Sequence, residues 1–257
     1  MNRRLFAGAL ASLAATPQLA RAADSDRRTR FYWLDAFQLK QGTQPGRMNE
    51  WFRGALVPRL AKIHNGPVIV LEAQIAPHTP QILLIVGFSA FDEIWDIRAK
   101  VMQDEGMLAA DAKLQQGPEP PFETQTTTLL EATAFSPEIV GEKRDTPRLF
   151  ELRVYHSPTS RQLRALHERF AGPEIKIFHR SGIHPILYGS TVIGGNMPNL
   201  TYLTPFDSLA AREKAWAAFG ADPEWVKTRN ESVQKYGQIT AVNDLAIYRA
   251  AAYSPIK

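Results

Sequence analysis

The sequence contains no cysteine, which excludes disulfide bonds, thiolate nucleophiles and cysteine-based metal sites. After residue 22 it also lacks any apolar run near the roughly 18 residues that a transmembrane helix needs, so we expect no transmembrane segment in the mature chain. No serine stands in a Gly-x-Ser-x-Gly elbow, and no two histidines have the spacing of His-Glu-x-x-His. The sequence therefore disfavours a serine hydrolase and a zinc protease, and we expect no metal site.

Residues 1–22 have the three parts of a secretory signal peptide: a basic start, a short run rich in Ala and Leu, and small residues at Ala20 and Ala22. The pair Arg3-Arg4 followed by Phe6 resembles a twin-arginine signal, and an ordinary signal is the alternative. We predict cleavage near Ala22 and a periplasmic or secreted bacterial protein.

Without the predicted leader, the chain has almost no net positive charge. The whole chain has 30 basic and 26 acidic residues, and the leader holds three of the basic ones. The mature chain therefore has 27 basic residues against 26 acidic ones. Nucleic-acid binding requires clustered Lys and Arg on one face, so we expect no nucleic-acid partner.

Two stretches of the chain recur at a spacing of 118 residues. Residues 32–37 return as residues 150–155, and residues 132–137 return as residues 250–255. The apolar periodicity predicts the order strand, helix, strand, strand, helix, strand in each copy. We therefore predict an α+β protein with two ferredoxin-like βαββαβ units, at 30–137 and 148–255, joined by a polar linker at 138–147.

Several local signals set the bounds of the predicted elements. We expect strands at 31–39, 68–75, 81–88, 126–133, 149–155, 183–192, 199–204 and 244–251. The longer helices are predicted at 47–63, 91–114 and 161–178, and a fourth begins near Ser208. Pro58 and Pro173 lie inside the first and third of these and should kink or divide them. Pro223 should begin a further helix.

The second unit resembles the NIPSNAP family. The resemblance rests on residues 150–155, on His179 before Gly182, on residues 206–213 and 221–225, and on the closing residues 253–255. It implies a dimeric α/β barrel, in which the sheets of the two units close on each other, here within one chain. The first unit departs from the pattern with Trp33 and Asp35, and it lacks a counterpart of residues 222–225, so we expect any site of the family to be weaker or absent there.

The opening strand of the second unit carries the main candidates for a polar pocket. A period of two places Glu151, Arg153 and Tyr155 on one face and the apolar side chains on the other. We expect the apolar face to meet the helices and the polar face to lie between the two sheets, where it could bind an anionic or aromatic ligand. The alternative is a structural ion pair that holds the sheets in register.

Three further residues are candidates for the same pocket: His179, His184 and Tyr188. His179 ends a predicted helix, where it could be a general base or a haem ligand, or could simply complement the negative end of the helix dipole. The cofactor is otherwise unknown.

No reaction or catalytic residue can be assigned from the sequence. The favoured hypothesis is an exported protein that binds a small ligand or a protein partner in or at the barrel. The alternative is an enzyme of the dimeric α/β-barrel type, either a cofactor-free oxygenase or a haem-handling protein, using Arg153, Tyr155 and one of His179 or His184. A scaffold at a membrane surface is disfavoured by the near-neutral charge. Further homo-oligomerisation is left open.

Overall fold

Each half of the chain has the same order of strands and helices. The computed structural model describes residues 28–141 and 144–257, so the predicted signal peptide lies outside the described residues. The first half contains β1 (Phe31–Gln38), α1 (Gln44–Trp51), the π-helical turn π1 (Phe52–Leu56), α2 (Val57–Ile63), β2 (Val68–Ile75), β3 (Gln81–Phe88), α3 (Phe91–Met102), α4 (Glu105–Gln115) and β4 (Thr124–Ala132). The second half contains β5 (Leu149–His156), α5 (Ser160–Arg169), π2 (Phe170–Glu174), α6 (Ile175–Arg180), β6 (Leu187–Ile193), β7 (Asn199–Phe206), α7 (Leu209–Ala221), α8 (Pro223–Tyr236) and β8 (Val242–Ala250).

The eight strands close into one antiparallel barrel in the order β1-β3-β2-β8-β5-β7-β6-β4. Two seams join the halves: β2 pairs with β8, and β4 pairs with β6. Closure leaves none of these strands as an unpaired edge. The α+β class and the intrachain barrel expected from the sequence are confirmed.

The spacing of 118 residues relates the halves element by element. Phe31 is paired with Phe88 in the first half, and Leu149 with Phe206 in the second. The turns π1 and π2 are displaced by the same interval. Because α3 starts at Phe91 and α7 at Leu209, the interval continues into the helices behind the sheets.

One expectation about the first unit is wrong, because a counterpart of residues 222–225 is present. Asp222 begins α8 and accepts a hydrogen bond from the backbone N–H of Trp225 at 3.1 Å. Asp104 begins α4 and accepts one from Met107 at 3.0 Å. The N-cap chemistry is therefore the same, although the intervening residues differ. This cap also explains why the predicted helix 91–114 is in fact two helices.

Both prolines predicted to disturb a helix lie at a π-helical turn. Pro173 is inside π2, and its neighbour Gly172 has non-helical backbone angles (φ −85°, ψ −114°). Pro58 follows π1 directly, in the first turn of α2. Proline lacks the N–H that would continue the helical ladder, and the wider turn accommodates that loss.

The two faces of β5 are reversed relative to the sequence prediction. Phe150 and Leu152 pack in the barrel interior, with Leu34, Leu83 and Leu203. Glu151, Arg153 and Tyr155 face the helices instead. In a barrel surrounded by helices both strand faces are buried, so apolar character does not decide which face meets the helices.

The closing segment of each half lies on the other half. The Ser136 hydroxyl accepts from the backbone N–H of Tyr188 at 3.0 Å, and the Ser254 hydroxyl accepts from that of Val70 at 2.9 Å. Tyr253 reaches further and donates from its hydroxyl to Asn49 at 2.6 Å. These reciprocal contacts, together with the two strand seams, make each half depend on the other.

Candidate functional site

Glu151 is the centre of a buried ionic cluster between β5 and α7. Its carboxylate accepts from Arg153, from Arg212 at 2.8 and 3.0 Å, and from Trp216 Nε1 at 2.8 Å. The Arg153 guanidinium also lies over the Trp216 ring, 3.7 Å from its centroid. The Glu151 carboxylate is fully hydrogen-bonded within the cluster, and Glu213, which also pairs with Arg212, balances the second guanidinium, as the structural ion pair requires. The pairing fixes α7 on the sheet rather than one sheet on the other.

The remaining strand candidate, Tyr155, belongs to a buried group of phenols beside this cluster. Its oxygen accepts from Tyr202 at 2.7 Å and from Arg153 at 3.2 Å. Tyr188 packs against Tyr202 and finds no hydrogen-bond partner for its hydroxyl among the described residues. Burial raises the pKa of both Tyr155 and Tyr188, so these phenols are neutral in the folded chain. Tyr155 and Tyr188 therefore lie with Arg153, as grouped from the sequence, but outside the barrel.

The two histidine candidates lie elsewhere. His179 and His184 stack on each other at the exposed end of α6, with ring centroids 5.1 Å apart. Burial and the neighbouring His184 both lower the pKa of His179. In residues 28–141 and 144–257, no hydrogen bond or ring contact joins this pair to Arg153 or Tyr155. The combination of residues proposed for an enzyme is not assembled.

A larger space lies in the first half, at the place where the second half holds its ionic cluster. This cavity, of about 590 Å³, separates β1 and β3 from the helices α1, α3 and α4. Its walls are mostly apolar or aromatic, including Phe37, Met48, Trp51, Leu56, Leu60, Leu84, Val86, Phe88, Ile97, Val101, Leu114 and Phe122. The barrel interior holds a smaller space of about 350 Å³. We call the first of these the first-half cavity.

Side-chain volume explains why the equivalent layer of the second half is filled. Four positions with a non-aromatic side chain in the first half correspond to an aromatic residue 118 residues later in the second half. The pairs are Leu60 and Phe178, Leu84 and Tyr202, Val101 and Phe219, and Met107 and Trp225. The rings pack closely, with centroids of Phe178 and Phe219 4.7 Å apart and those of Phe219 and Trp225 4.3 Å apart. Aliphatic residues leave this volume open in the first half.

The polar groups of the first-half cavity are not fully satisfied. Trp33 Nε1 is buried and has no acceptor among the described residues. Asp35, only 6% exposed, accepts from the Thr127 hydroxyl at 2.5 Å. Arg98 lies over the Trp33 ring, 4.6 Å from its centroid. An unsatisfied buried donor costs about 1–3 kcal/mol, so the Trp33 indole favours whatever brings an acceptor into the cavity.

Trp33 and Asp35 are the residues that the sequence set apart as departures from the family pattern. The sequence signal is that Trp33 and Asp35 stand where the second half has Glu151 and Arg153. Taken alone, this difference predicts the loss of a site rather than a different one. Arg98 and Trp51, which also line the cavity, carried no signal of their own because aromatic and charged residues on helices are common.

The first-half cavity does not offer the residues that haem binding requires. The lining of the first-half cavity contains no histidine or tyrosine, and its only side chains of an axial-ligand type are Met48 and Met102. His64 is buried beside Phe88, with Nε2 2.8 Å from the Gly87 carbonyl oxygen. Within the described ranges, no three His, Asp or Glu side chains are grouped as a metal site.

Residues 150–255 match the family model of NIPSNAP. The second half is a NIPSNAP domain. No curated protein matches the chain. Within the described ranges, no helix combines the length and apolar character needed to cross a bilayer.

Several solved structures are similar to most of the chain. A candidate monooxygenase from Fusobacterium nucleatum superposes with a TM-score of 0.57 at 11% identity, covering 86% of this chain and 92% of its own. A second candidate monooxygenase, from Lactobacillus acidophilus, gives 0.55 at 9% identity, with 87% and 94% covered. An anthrone oxidase-like protein gives 0.55 at 11% identity, with 87% and 92% covered. At these identities the likeness shows a shared fold.

Proposed function

We propose that this protein binds a small, flat and largely apolar molecule in the first-half cavity. The observation that carries the proposal is the buried Trp33 indole N–H, which has no acceptor among the described residues although it lies in the wall of an apolar space. A volume of about 590 Å³ is within the range of small-molecule sites. In this proposal the NIPSNAP domain contributes the strands that close the barrel and a tightly packed aromatic layer, whereas the ligand site lies in the first half.

The aromatic side chains that line the cavity support a flat ligand. Trp33, Trp51, Phe37 and Phe122 present rings to it, and aromatic side chains favour offset or edge contacts with another ring. Met102 and Gln125, which also line the cavity, are exposed, so the entrance is on their side. The ligand would enter between α3 and β4 and place an acceptor near Trp33.

Titration with 1-naphthalenemethanol, followed by tryptophan fluorescence, tests the proposal. Leu60→Phe and Val101→Phe copy the aromatic residues of the second half, and each should weaken binding at least tenfold by filling the space. Leu108→Phe is the matched control, because Leu108 is exposed on α4 and is not part of the lining. Equal affinity in all four proteins, or no saturable binding to the wild type, would contradict the proposal.

The second candidate function is oxidation of the bound molecule. The names of the three structural neighbours support it, since two are candidate monooxygenases and one is anthrone oxidase-like. Anthrone is a flat, mainly apolar molecule of the kind proposed here. Oxygen uptake with anthrone should be faster with the wild type than with Val101→Phe. The same rate with both proteins, after subtraction of the reaction without protein, would exclude this candidate.

We also propose that the protein acts outside the cytoplasm, since residues 1–22 have the pattern of a signal peptide. Mass spectrometry of the protein from a cell envelope should find its N-terminus near residue 23. An intact Met1 on exported protein would contradict this.

A further inference from the structure

Asp35 is a buried carboxylate without a cation. Its side chain lines the first-half cavity, and its hydrogen bond comes from the neutral Thr127 hydroxyl. In the part of the chain that the structure describes, no Lys, Arg or His nitrogen lies within 4.0 Å of it. A buried charge is costly unless it is paired, so this arrangement favours a positive partner from outside the chain.

The equivalent position of the NIPSNAP domain shows how the chain balances a buried charge with its own side chains. Arg153 stands 118 residues after Asp35, and Glu151 neutralises it within the same layer. The first half has Trp33 in the place of Glu151, which offers an N–H but no charge. The balancing group present in one half is therefore missing from the other.

The other charged groups of the cavity lining leave it with a net negative charge. Asp111 accepts from Trp51 Nε1 at 2.7 Å, and this partner is also neutral. Arg98 is the one positive side chain of the lining, and it lies over the rings of Trp33 and Trp95. Two carboxylates against one guanidinium give a charge of −1, and the surrounding rings of Trp33, Trp51 and Phe37 can add cation–π attraction.

From this arrangement we infer that the ligand is an organic cation, an arylalkylamine whose protonated aliphatic nitrogen pairs with Asp35. This rests on the proposed function, since it assigns the ligand class of the same cavity. The ammonium donates to the free oxygen of Asp35, the rings surround the hydrocarbon part, and an acceptor on the ligand satisfies Trp33 Nε1. Thr127 keeps its hydrogen bond and holds the carboxylate in position.

Three probes with the same ring system separate the charge from the apolar contact. At pH 7, 1-naphthylmethylamine is positive, 1-naphthalenemethanol is neutral and 1-naphthoate is negative. We expect the amine to bind at least tenfold more tightly than the alcohol, which is about 1.4 kcal/mol, and the naphthoate to bind more weakly than either. Calorimetric titration of the full chain gives all three affinities.

Asp35→Asn keeps the shape of the side chain and its contact with Thr127 while removing the charge. It should reduce the affinity for the amine until it equals the affinity of the same variant for the alcohol. Asp92→Asn is the matched control, since it removes the same charge from an exposed position on α3. It should leave the preference for the amine intact.

The outcomes distinguish the inference from the proposed function. If amine and alcohol bind the wild type equally, or if Asp35→Asn keeps the preference for the amine, the inference is overturned and the cavity remains a neutral site. If none of the three probes binds, the proposed function itself fails. A preference for the naphthoate would also overturn the inference and would assign Arg98 as the group that selects the ligand.

Discussion

Replacing Glu151 by alanine should destabilise the fold more than most single substitutions. The substitution removes the acceptor shared by Arg153, Arg212 and Trp216. The two guanidinium groups it leaves behind are only 16% and 13% exposed, so bulk water does not replace the lost carboxylate. Breaking a buried pair in this way costs about 3–5 kcal/mol. Because native domains have a total stability of only about 5–15 kcal/mol, the loss is a large fraction of it.

Urea denaturation followed by circular dichroism measures this loss, and a thermal melt should show a decrease on the order of 10 °C for a chain of this size. Glu213→Ala is the matched control: Glu213 also contacts Arg212 but is 71% exposed, so it should change the free energy of unfolding by no more than about 0.5 kcal/mol. Binding of 1-naphthalenemethanol should survive in both variants, because the first-half cavity is in the other half. A cost below about 1 kcal/mol for Glu151→Ala would refute the structural role assigned to this cluster.

Two further predictions concern other buried groups. Burial raises the pKa of Glu174 to about 7 from 4.5, so the folded state prefers the protonated carboxyl, and the stability this provides is complete below pH 4.5 and lost as the pH rises through 7. Arg169 Nε donates to this carboxyl group at 2.6 Å and opposes the shift, but burial is the larger effect. Relative to Glu174→Gln, the wild type should therefore lose stability between pH 4.5 and 8 in urea titrations, and a constant difference would contradict this. Ser254→Ala leaves the buried N–H of Val70 without its acceptor, and Ser136→Ala does the same to Tyr188. Each should cost about 1–3 kcal/mol by the same assay, and a neutral result for either would show that the closing segments do not hold the halves together.

The sequence patterns were sufficient to predict the order of the elements, and the resemblance to the NIPSNAP family predicted the closure of the barrel. The turn signals are local features, and local features determine where strands and helices begin. The interval of 118 residues shows that the same order of elements occurs twice. The orientation of β5 was not predictable in the same way. Alternation shows that Glu151 and Arg153 share a face, but here one face is covered by helices and the other by the opposite strands. The Arg212 side chain, 61 residues away from Glu151, decides which layer accepts the charges.

The first-half cavity was not predictable because it arises from missing volume. Leu60, Leu84 and Val101 are ordinary core residues when considered singly. Their significance appears only when the two halves are compared element by element, which places them opposite the aromatic residues of the NIPSNAP domain in the comparison. The substitution of Trp33 for Glu151 was visible in the sequence, yet it indicated a degraded site until the burial of its indole N–H was known.

We propose that a small molecule binds between the sheet and the helices of the first half. Crystals grown with 4-bromo-1-naphthalenemethanol test it directly, because the anomalous signal of bromine locates the probe without ambiguity. We expect one peak within the first-half cavity, in contact with Trp33 and between β1 and α3. A peak in the barrel interior or in the helical layer of the NIPSNAP domain would contradict it, as would the absence of any peak at a concentration that saturates binding in solution.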